Sequence, residues 1–63
     1  PMDFVRNIRL KYACTLLTEG RLNISEVAYA VGFSDPQYFA RCFKEAFRET
    51  PTQFQHRKQG RMQ

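Results

Sequence analysis

The stretch from Ile24 to Lys44 constrains the fold of this chain more than any other. Apolar residues recur there with helical spacing, first over about two turns and then over a longer segment. Asn23 and Glu26 form a capping box for the first of these helices, and Gly32 suits the left-handed turn that ends it. Two helices joined by a tight turn with glycine are the outline of a helix-turn-helix, whose second helix enters a DNA major groove.

The second helix of this motif is predicted to carry one apolar stripe and one polar stripe. Ser34 and Asp35 are both N-cap types, a Ser34 cap would form a capping box with Gln37, and Pro36 suits the first helical position. Arginine, lysine and glutamine are the side chains that reach base edges and phosphates in DNA. The alternative is that the polar stripe is simply a solvated helix face, on which Arg41 could pair with Glu45 four residues later. The apolar stripe is Phe39, Phe43, Ala46 and Phe47, and the polar stripe is Gln37, Arg41, Lys44 and Arg48.

The segments on both sides of the motif are also predicted to be helical. Gly20 ends a long first helix, and Thr50 with Gln53 forms a further capping box that opens a short last helix. The predicted fold is therefore all-α, a homeodomain-like helix-turn-helix with four helices in one domain of 63 residues. Its segments are 1–20 for the first helix, 24–47 for the helix-turn-helix, 50–57 for the closing helix and 58–63 for a tail that we expect to fray.

The first helix is apolar on two sides, so it must be buried on two sides. One side has Phe4, Val5, Ile8, Tyr12 and Leu16, and the other has Leu10, Ala13 and Leu17. The rest of the chain can cover one of these faces, and the other needs a partner. We therefore expect a fragment, an oligomer or both; the alternative is that three short helices wrap the long one.

Charge and composition narrow the classes of function. A formal net charge of +4 and a pI of about 9.5 favour an anionic partner such as nucleic acid or a membrane surface, although small domains also carry charge for solubility. Cys14 and Cys42 form no C-x-x-C pair and His56 is the only histidine, so we expect no metal site, no cofactor and no enzyme. With no signal peptide and no membrane-spanning run, a cytoplasmic location is expected.

Two patterns of residues are highly specific when they are taken together. They are Ile24-x-x-Val27-Ala28-x-x-Val31-Gly32-Phe33-Ser34-Asp35-x-x-Tyr38-Phe39-x-Arg41-x-Phe43-Lys44-x-x-Phe47-x-x-Thr50-Pro51 and Arg9-Leu10-x-x-Ala13-x-x-Leu16-Leu17. The longer pattern resembles the AraC/XylS family of bacterial transcription regulators, and the shorter one is similar to the central linker helix of that family. The resemblance covers about residues 1–57.

The resemblance implies that the chain is one part of a larger DNA-binding regulator. Family members have two helix-turn-helix units joined by the linker helix, so the first unit would precede Pro1, and a sensory or effector domain would lie further upstream. The missing unit would then cover Phe4, Ile8 and Tyr12. The chain is similar to members fused to two-component sensor systems that control polysaccharide use.

The implied partners are double-stranded DNA, the missing first unit and RNA polymerase, with no membrane. An oligomer could form through the exposed face of the first helix. The alternative function is a helical protein-interaction module that uses this same apolar face.

The resemblance also implies roles for individual residues. Pro36, Gln37 and Arg41 match the family's base-reading positions, where glutamine can bond adenine, arginine can bond guanine and proline offers an apolar surface to a thymine methyl. The implied backbone contacts are Tyr38, Lys44, Ser34 and Ser25, the last beside the N-terminal amides of the Ile24 helix.

Two positions depart from the family pattern. Pro36 stands where the family often has a polar residue. The family usually has glycine where this chain has Arg48, and a left-handed arginine there costs about 1 kcal/mol unless the chain turns differently.

Overall fold

The computed structural model of the chain describes residues 2–59, with the side chains of residues 4–58. This part of the chain is helical with short connections and contains no strand. The predicted all-α, four-helix fold is confirmed. The helices are α1 (Met2–Glu19), α2 (Ile24–Ala30), α3 (Pro36–Phe47) and α4 (Pro51–Gln59).

The last helix is longer than predicted, since α4 ends at Gln59 and fraying was expected from Lys58 onward. The ammonium of Lys58 lies 5.6 Å from the centre of the Phe54 ring, one helical turn earlier. Such a cation–π contact favours the helical conformation of the turn that carries both residues. The rest of the predicted tail, residues 60–63, lies outside the described residues.

The core forms where α1 packs against all three other helices. Leu10, Ala13 and Leu17 on α1 are completely or almost completely buried, and their spacing places them on one side of the helix. They meet the inner faces of α2 and α3 and the single aromatic anchor of α4. The other buried core residues are Val27, Ala28, Val31, Phe33, Phe39, Cys42, Phe43 and Phe54.

A series of aromatic contacts fixes α3 against its neighbours. The Phe39 ring lies 5.3 Å from Phe33 in the turn and 5.8 Å from Phe43, both edge to face. Phe43 in turn lies 5.5 Å from Phe54 of α4 and 4.6 Å from Phe47. These separations are within the range preferred by aromatic pairs. The pairs with Phe33 and Phe54 therefore hold α3 against the preceding turn and against α4, through Phe39 and Phe43.

The opposite face of α1 is left uncovered by the described residues. Four large apolar side chains on this face keep about half or more of their surface exposed, whereas Leu16 packs partly against the core. The sequence-based expectation that the chain covers only one side of α1 is confirmed. This outer stripe comprises Phe4 (66% exposed), Val5 (47%), Ile8 (52%) and Tyr12 (54%).

Local capping sets the ends of α2. The Asn23 side chain accepts a hydrogen bond from the Glu26 amide at 2.8 Å, and the Glu26 carboxylate accepts one from the Asn23 amide at 2.9 Å, which confirms the capping box. At the other end, Gly32 has a φ of 103°. The Phe33 amide donates to the Ala28 carbonyl at 2.9 Å, and the Gly32 amide donates to the Tyr29 carbonyl at 3.1 Å. This paired pattern closes the helix and starts the tight turn.

One position in the predicted apolar stripe of α3 is wrong. Ala46 is exposed and Cys42 is buried in its place, while Phe47 is half-buried. Ala46 lines an open cleft between α1 and α3, so the methyl group of Ala46 is left in contact with solvent. Phe39 and Phe43 are fully buried, as predicted.

Candidate nucleic-acid interface

The predicted recognition helix begins at Pro36, and Asp35 is its N-cap. A carboxylate oxygen of Asp35 accepts a hydrogen bond from the Gln37 amide at 3.0 Å. Proline at the first helical position fits because that amide would have no partner within the helix. Of the two candidate caps, Asp35 is therefore the observed one, and Ser34 stays exposed just before the helix. Asp35 is the cap because it lies directly before Pro36, whose ring fixes the φ of the first helical residue.

The polar stripe of α3 faces solvent along its whole length. Gln37, Arg41, Lys44 and Arg48 are all exposed, whereas Pro36 is half-buried beside them. Within the described residues, the side chains of Gln37, Arg41 and Lys44 make no hydrogen bond and no ion pair. The predicted stripe therefore exists and is open to an external ligand.

A shallow cleft near the C-terminal end of α3 gathers charge on this surface. It is lined by Arg41, Lys44, Glu45 and Arg48, which bring three positive charges and one negative charge together. The alternative in which Arg41 pairs with Glu45 is not realised, since no ion pair joins these two described residues. The cleft keeps a net positive charge, as an anion-binding surface requires.

Tyr38 lies on the flank of α3 that faces α1. Its side chain is 45% exposed, and its ring stands 5.9 Å from that of Phe33 in a tilted arrangement. A second cleft opens here between α3 and the N-terminal half of α1. It is lined by Val5, Arg6, Arg9, Gly32, Phe33, Ser34 and Tyr38, so the phenol and the Ser34 hydroxyl lie beside two arginines.

Arg9 is a positioning residue that the sequence did not reveal. Its guanidinium donates a hydrogen bond to the Gly32 carbonyl at 3.3 Å and so ties α1 to the turn between α2 and α3. A Cβ atom on Gly32 would come within 3.0 Å of the guanidinium carbon and Nε of Arg9. The signal that could have revealed it is weak, because the two residues are 23 positions apart in the sequence.

The N-terminus of α2 holds the last predicted DNA contact. Ser25 is exposed in the first turn of this helix. The Asn23 side chain already accepts from the Glu26 amide, so fewer amides are open to a phosphate than the sequence suggested. The Glu26 carboxylate also lies at this end. The Ser25 hydroxyl is thus the more accessible donor there.

An ion pair between Glu49, which follows α3, and Arg57 of α4 contrasts with the polar stripe. The Arg57 guanidinium donates to both carboxylate oxygens of Glu49, at 2.6 Å and 3.3 Å. This hydrogen bonding lowers the pKa of Glu49 below its ordinary value and raises the pKa of Arg57. Arg57 is therefore engaged inside the molecule, whereas Arg41 is not.

A comparison with known protein families identifies the family of this chain. The family described as "Helix-turn-helix domain" matches residues 1–57. The chain belongs to the AraC-type helix-turn-helix family. The match indicates a DNA-binding role for this chain, and several relatives are named as regulators of transcription or of an operon.

Curated relatives match most of this chain but extend far beyond it. The chain is 49% identical over 57 residues to a protein of Formosa agariphila named histidine kinase P4. It is 45% identical over 56 residues to the HTH-type transcriptional regulator GlxA of Rhizobium meliloti. It is 31% identical over 57 residues to the MmsAB operon regulatory protein of Pseudomonas aeruginosa. These matches cover 90%, 89% and 90% of this chain. They span only 4%, 17% and 19% of the three relatives' own lengths. No solved structure matches the chain.

Other classes of site find little support in the described residues. No group of three or more histidine, cysteine, aspartate or glutamate side chains is placed to hold a metal ion there. Cys14 and Cys42 are free thiols, half-buried and buried, and burial raises the pKa of Cys14. No described helix is long and apolar enough to cross a membrane.

Proposed function

We propose that this chain is the second of two helix-turn-helix units in a bacterial transcription regulator and that α3 lies in the major groove of its operator. One observation carries the proposal. The exposed stripe of Gln37, Arg41 and Lys44 has no partner among the described residues, while the aromatic series holds the opposite face of α3. One face of the helix is thus fixed by packing. The polar side chains on the other face have no internal partner and are available to DNA.

Base reading is assigned to the first two turns of α3. Gln37 can bond both edge groups of an adenine, and Arg41 can bond O6 and N7 of a guanine. Pro36 offers an apolar ring edge, which suits the methyl group of a thymine. Gln37 and Arg41 lie one turn apart on one face, and Pro36 directly precedes Gln37 in the first turn, so the three side chains would meet neighbouring base pairs.

Backbone contacts are assigned to the residues that border this face. Lys44 follows Arg41 by about one turn, and Tyr38 and Ser34 border the cleft toward α1. Ser25 at the start of α2 provides a hydroxyl on the other side. Contacts of this kind set the register of a protein on the duplex without reading sequence.

Substitution of single side chains in the full regulator tests these roles. Arg41→Ala should cost about 1–3 kcal/mol of operator binding and relax the preference at one base pair, whereas Lys44→Ala should weaken binding to all sequences alike. Arg21→Ala is the matched control, because Arg21 is exposed outside the motif. The assay is footprinting with a set of single-base operator variants, and an unchanged footprint for Arg41→Ala would refute the assignment.

The outer stripe of α1 is proposed to pack against the first helix-turn-helix unit. Its four exposed apolar side chains form a surface of the kind that marks an interface. The family match does not favour a protein-interaction module as the main function. RNA polymerase and a second copy of the chain remain as further proposed partners. Sedimentation of the isolated chain tests the stripe, since a strict monomer that binds no hydrophobic dye would contradict an uncovered interface.

Catalysis is not part of the proposed role, and the cytoplasm is the proposed location. The relatives are mostly named as regulators. The relative named as a histidine kinase is matched over only 4% of its length.

A further inference from the structure

Arg48 has a backbone conformation that an arginine seldom adopts. Its φ of 67° and ψ of 15° lie in the left-handed region, and among the described residues it is the one non-glycine residue with a positive φ. The conformation ends α3, where the Arg48 amide donates to the Lys44 carbonyl at 2.7 Å. Glycine would adopt it without strain, and strained positions that persist often serve a function.

The side chain of Arg48 has no role inside the described molecule. It is exposed, and no hydrogen bond or ion pair joins it to another described residue. The packing of α3 therefore does not explain why arginine stands where glycine would relieve the strain. An external contact does explain it.

The position of Arg48 indicates what that contact is. Arg48 shares the charged cleft with Arg41 and Lys44, and it follows Gln37 by a helical length of roughly 16 Å. A major groove is about 12 Å wide, so a residue that far from the base-reading turn lies at the edge of the groove. Phosphates form that edge, and the planar guanidinium binds a phosphate with two parallel hydrogen bonds. The nearby Glu45 carboxylate would repel a phosphate, but three cations surround it.

We propose that Arg48 is an additional DNA-phosphate contact, held by a left-handed cap at the end of α3. This inference rests on the proposed function, because it places α3 in the major groove. The left-handed cap directs the side chain toward the backbone of the duplex at the expense of local stability. Stability and DNA affinity should therefore respond in opposite directions when Arg48 is replaced.

Two substitutions in the full regulator separate charge from backbone strain. Arg48→Gly removes both, so we expect the thermal transition of this domain to rise by about 4 °C, together with DNA binding that is about five- to tenfold weaker at low salt. The slope of log affinity against log salt should fall by about 1, and operator and unrelated DNA should be affected alike. Arg48→Gln removes the charge and keeps the strain, so its salt slope should fall as it does for Arg48→Gly, while its Tm should match that of the parent. Arg21→Ala controls for the loss of one positive charge elsewhere.

The outcomes distinguish this contact from the wider proposal. If the parent binds DNA and Arg48→Gly has the salt slope of Arg21→Ala, the Arg48 contact is refuted and the proposed function stands. A phosphate contact would also be refuted if Arg48→Gly changed only the base preference at one operator position and left the affinity for unrelated DNA unchanged. A parent protein with no salt-dependent DNA binding would overturn the proposed function and this contact together.

Discussion

Replacement of Gly32 by alanine tests how strictly the turn between α2 and α3 is defined. Gly32 has a φ of 103°, which an L-residue with a Cβ atom seldom adopts. The added methyl group would also come within 3.0 Å of the guanidinium of Arg9. We expect Gly32→Ala to destabilise the domain through both effects, with backbone strain as the larger one.

The magnitude follows from adding the two effects. Alanine at such a φ costs about 1–3 kcal/mol, and the smaller entropy of its unfolded chain returns about 0.4–1 kcal/mol. The Arg9 atoms that the methyl meets are the far end of a flexible side chain, so Arg9 can swing away and lose its hydrogen bond to the Gly32 carbonyl. An exposed hydrogen bond of this kind is worth about 0.5–1.5 kcal/mol. The expected total is about 2 kcal/mol.

A loss of that size is large for this domain. A chain of this length has an unfolding free energy of roughly 3–9 kcal/mol, and about 2 kcal/mol corresponds to a Tm lower by about 8–16 °C. Denaturant unfolding followed by circular dichroism measures it. The comparison set is Gly32→Ala, Arg9→Ala and the double variant, because the two sites are in contact and their effects should not be additive.

The double variant shows which effect dominates. In the Arg9→Ala background, Gly32→Ala should still cost about 1–2 kcal/mol, since the strained φ remains. The reasoning fails if Gly32→Ala is neutral in the parent chain. It also fails if Arg9→Ala removes the whole cost, because the guanidinium contact would then be its only source.

Two further predictions concern the core and the acid limb of stability. Phe43→Ala should lower the free energy of unfolding by about 3–5 kcal/mol, because the ring is fully buried, and circular dichroism should show a largely unfolded chain. Tyr12→Ala on the outer stripe should change the free energy of unfolding by less than about 0.5 kcal/mol. The hydrogen bonds from Arg57 lower the pKa of Glu49 below 4.5, so their contribution is fully present above pH 4.5 and is lost as the pH falls further. Denaturant midpoints of Glu49→Gln between about pH 7 and pH 3 should lack this part of the acid dependence, and an acid limb identical to the parent's would contradict the assignment.

Local features of the fold were accessible from the sequence because their determinants are close together. The capping boxes of Asn23 with Glu26 and of Thr50 with Gln53 each join residues three positions apart, and both are present. The N-cap of α3 was ambiguous because two capping residues are adjacent. Asp35 is the observed cap, and the proline that follows it supplies the physical reason.

Features that depend on distant residues or on an absent partner were not accessible in the same way. The bond from Arg9 to the Gly32 carbonyl depends on how α1 crosses the turn. Exposure of Ala46 likewise depends on a cleft between α1 and α3. The site residues are a different case. The sequence placed most of them on the surface of α3, but their roles depend on which groove and which bases that helix meets.

The two faces of α3 explain why the molecule suits DNA reading. The inner face is fixed by aromatic contacts of Phe39 with the preceding turn and of Phe43 with α4, and Arg9 fixes the turn itself. In their proposed base-reading role, the side chains of Gln37 and Arg41 would need little reorganisation of the backbone, so little binding free energy would be lost in ordering the helix. Their donors and acceptors have no partner among the described residues, so a correct base pair can satisfy them without breaking an internal bond. Specificity then comes from the penalty that a wrong base imposes by leaving those groups unpaired.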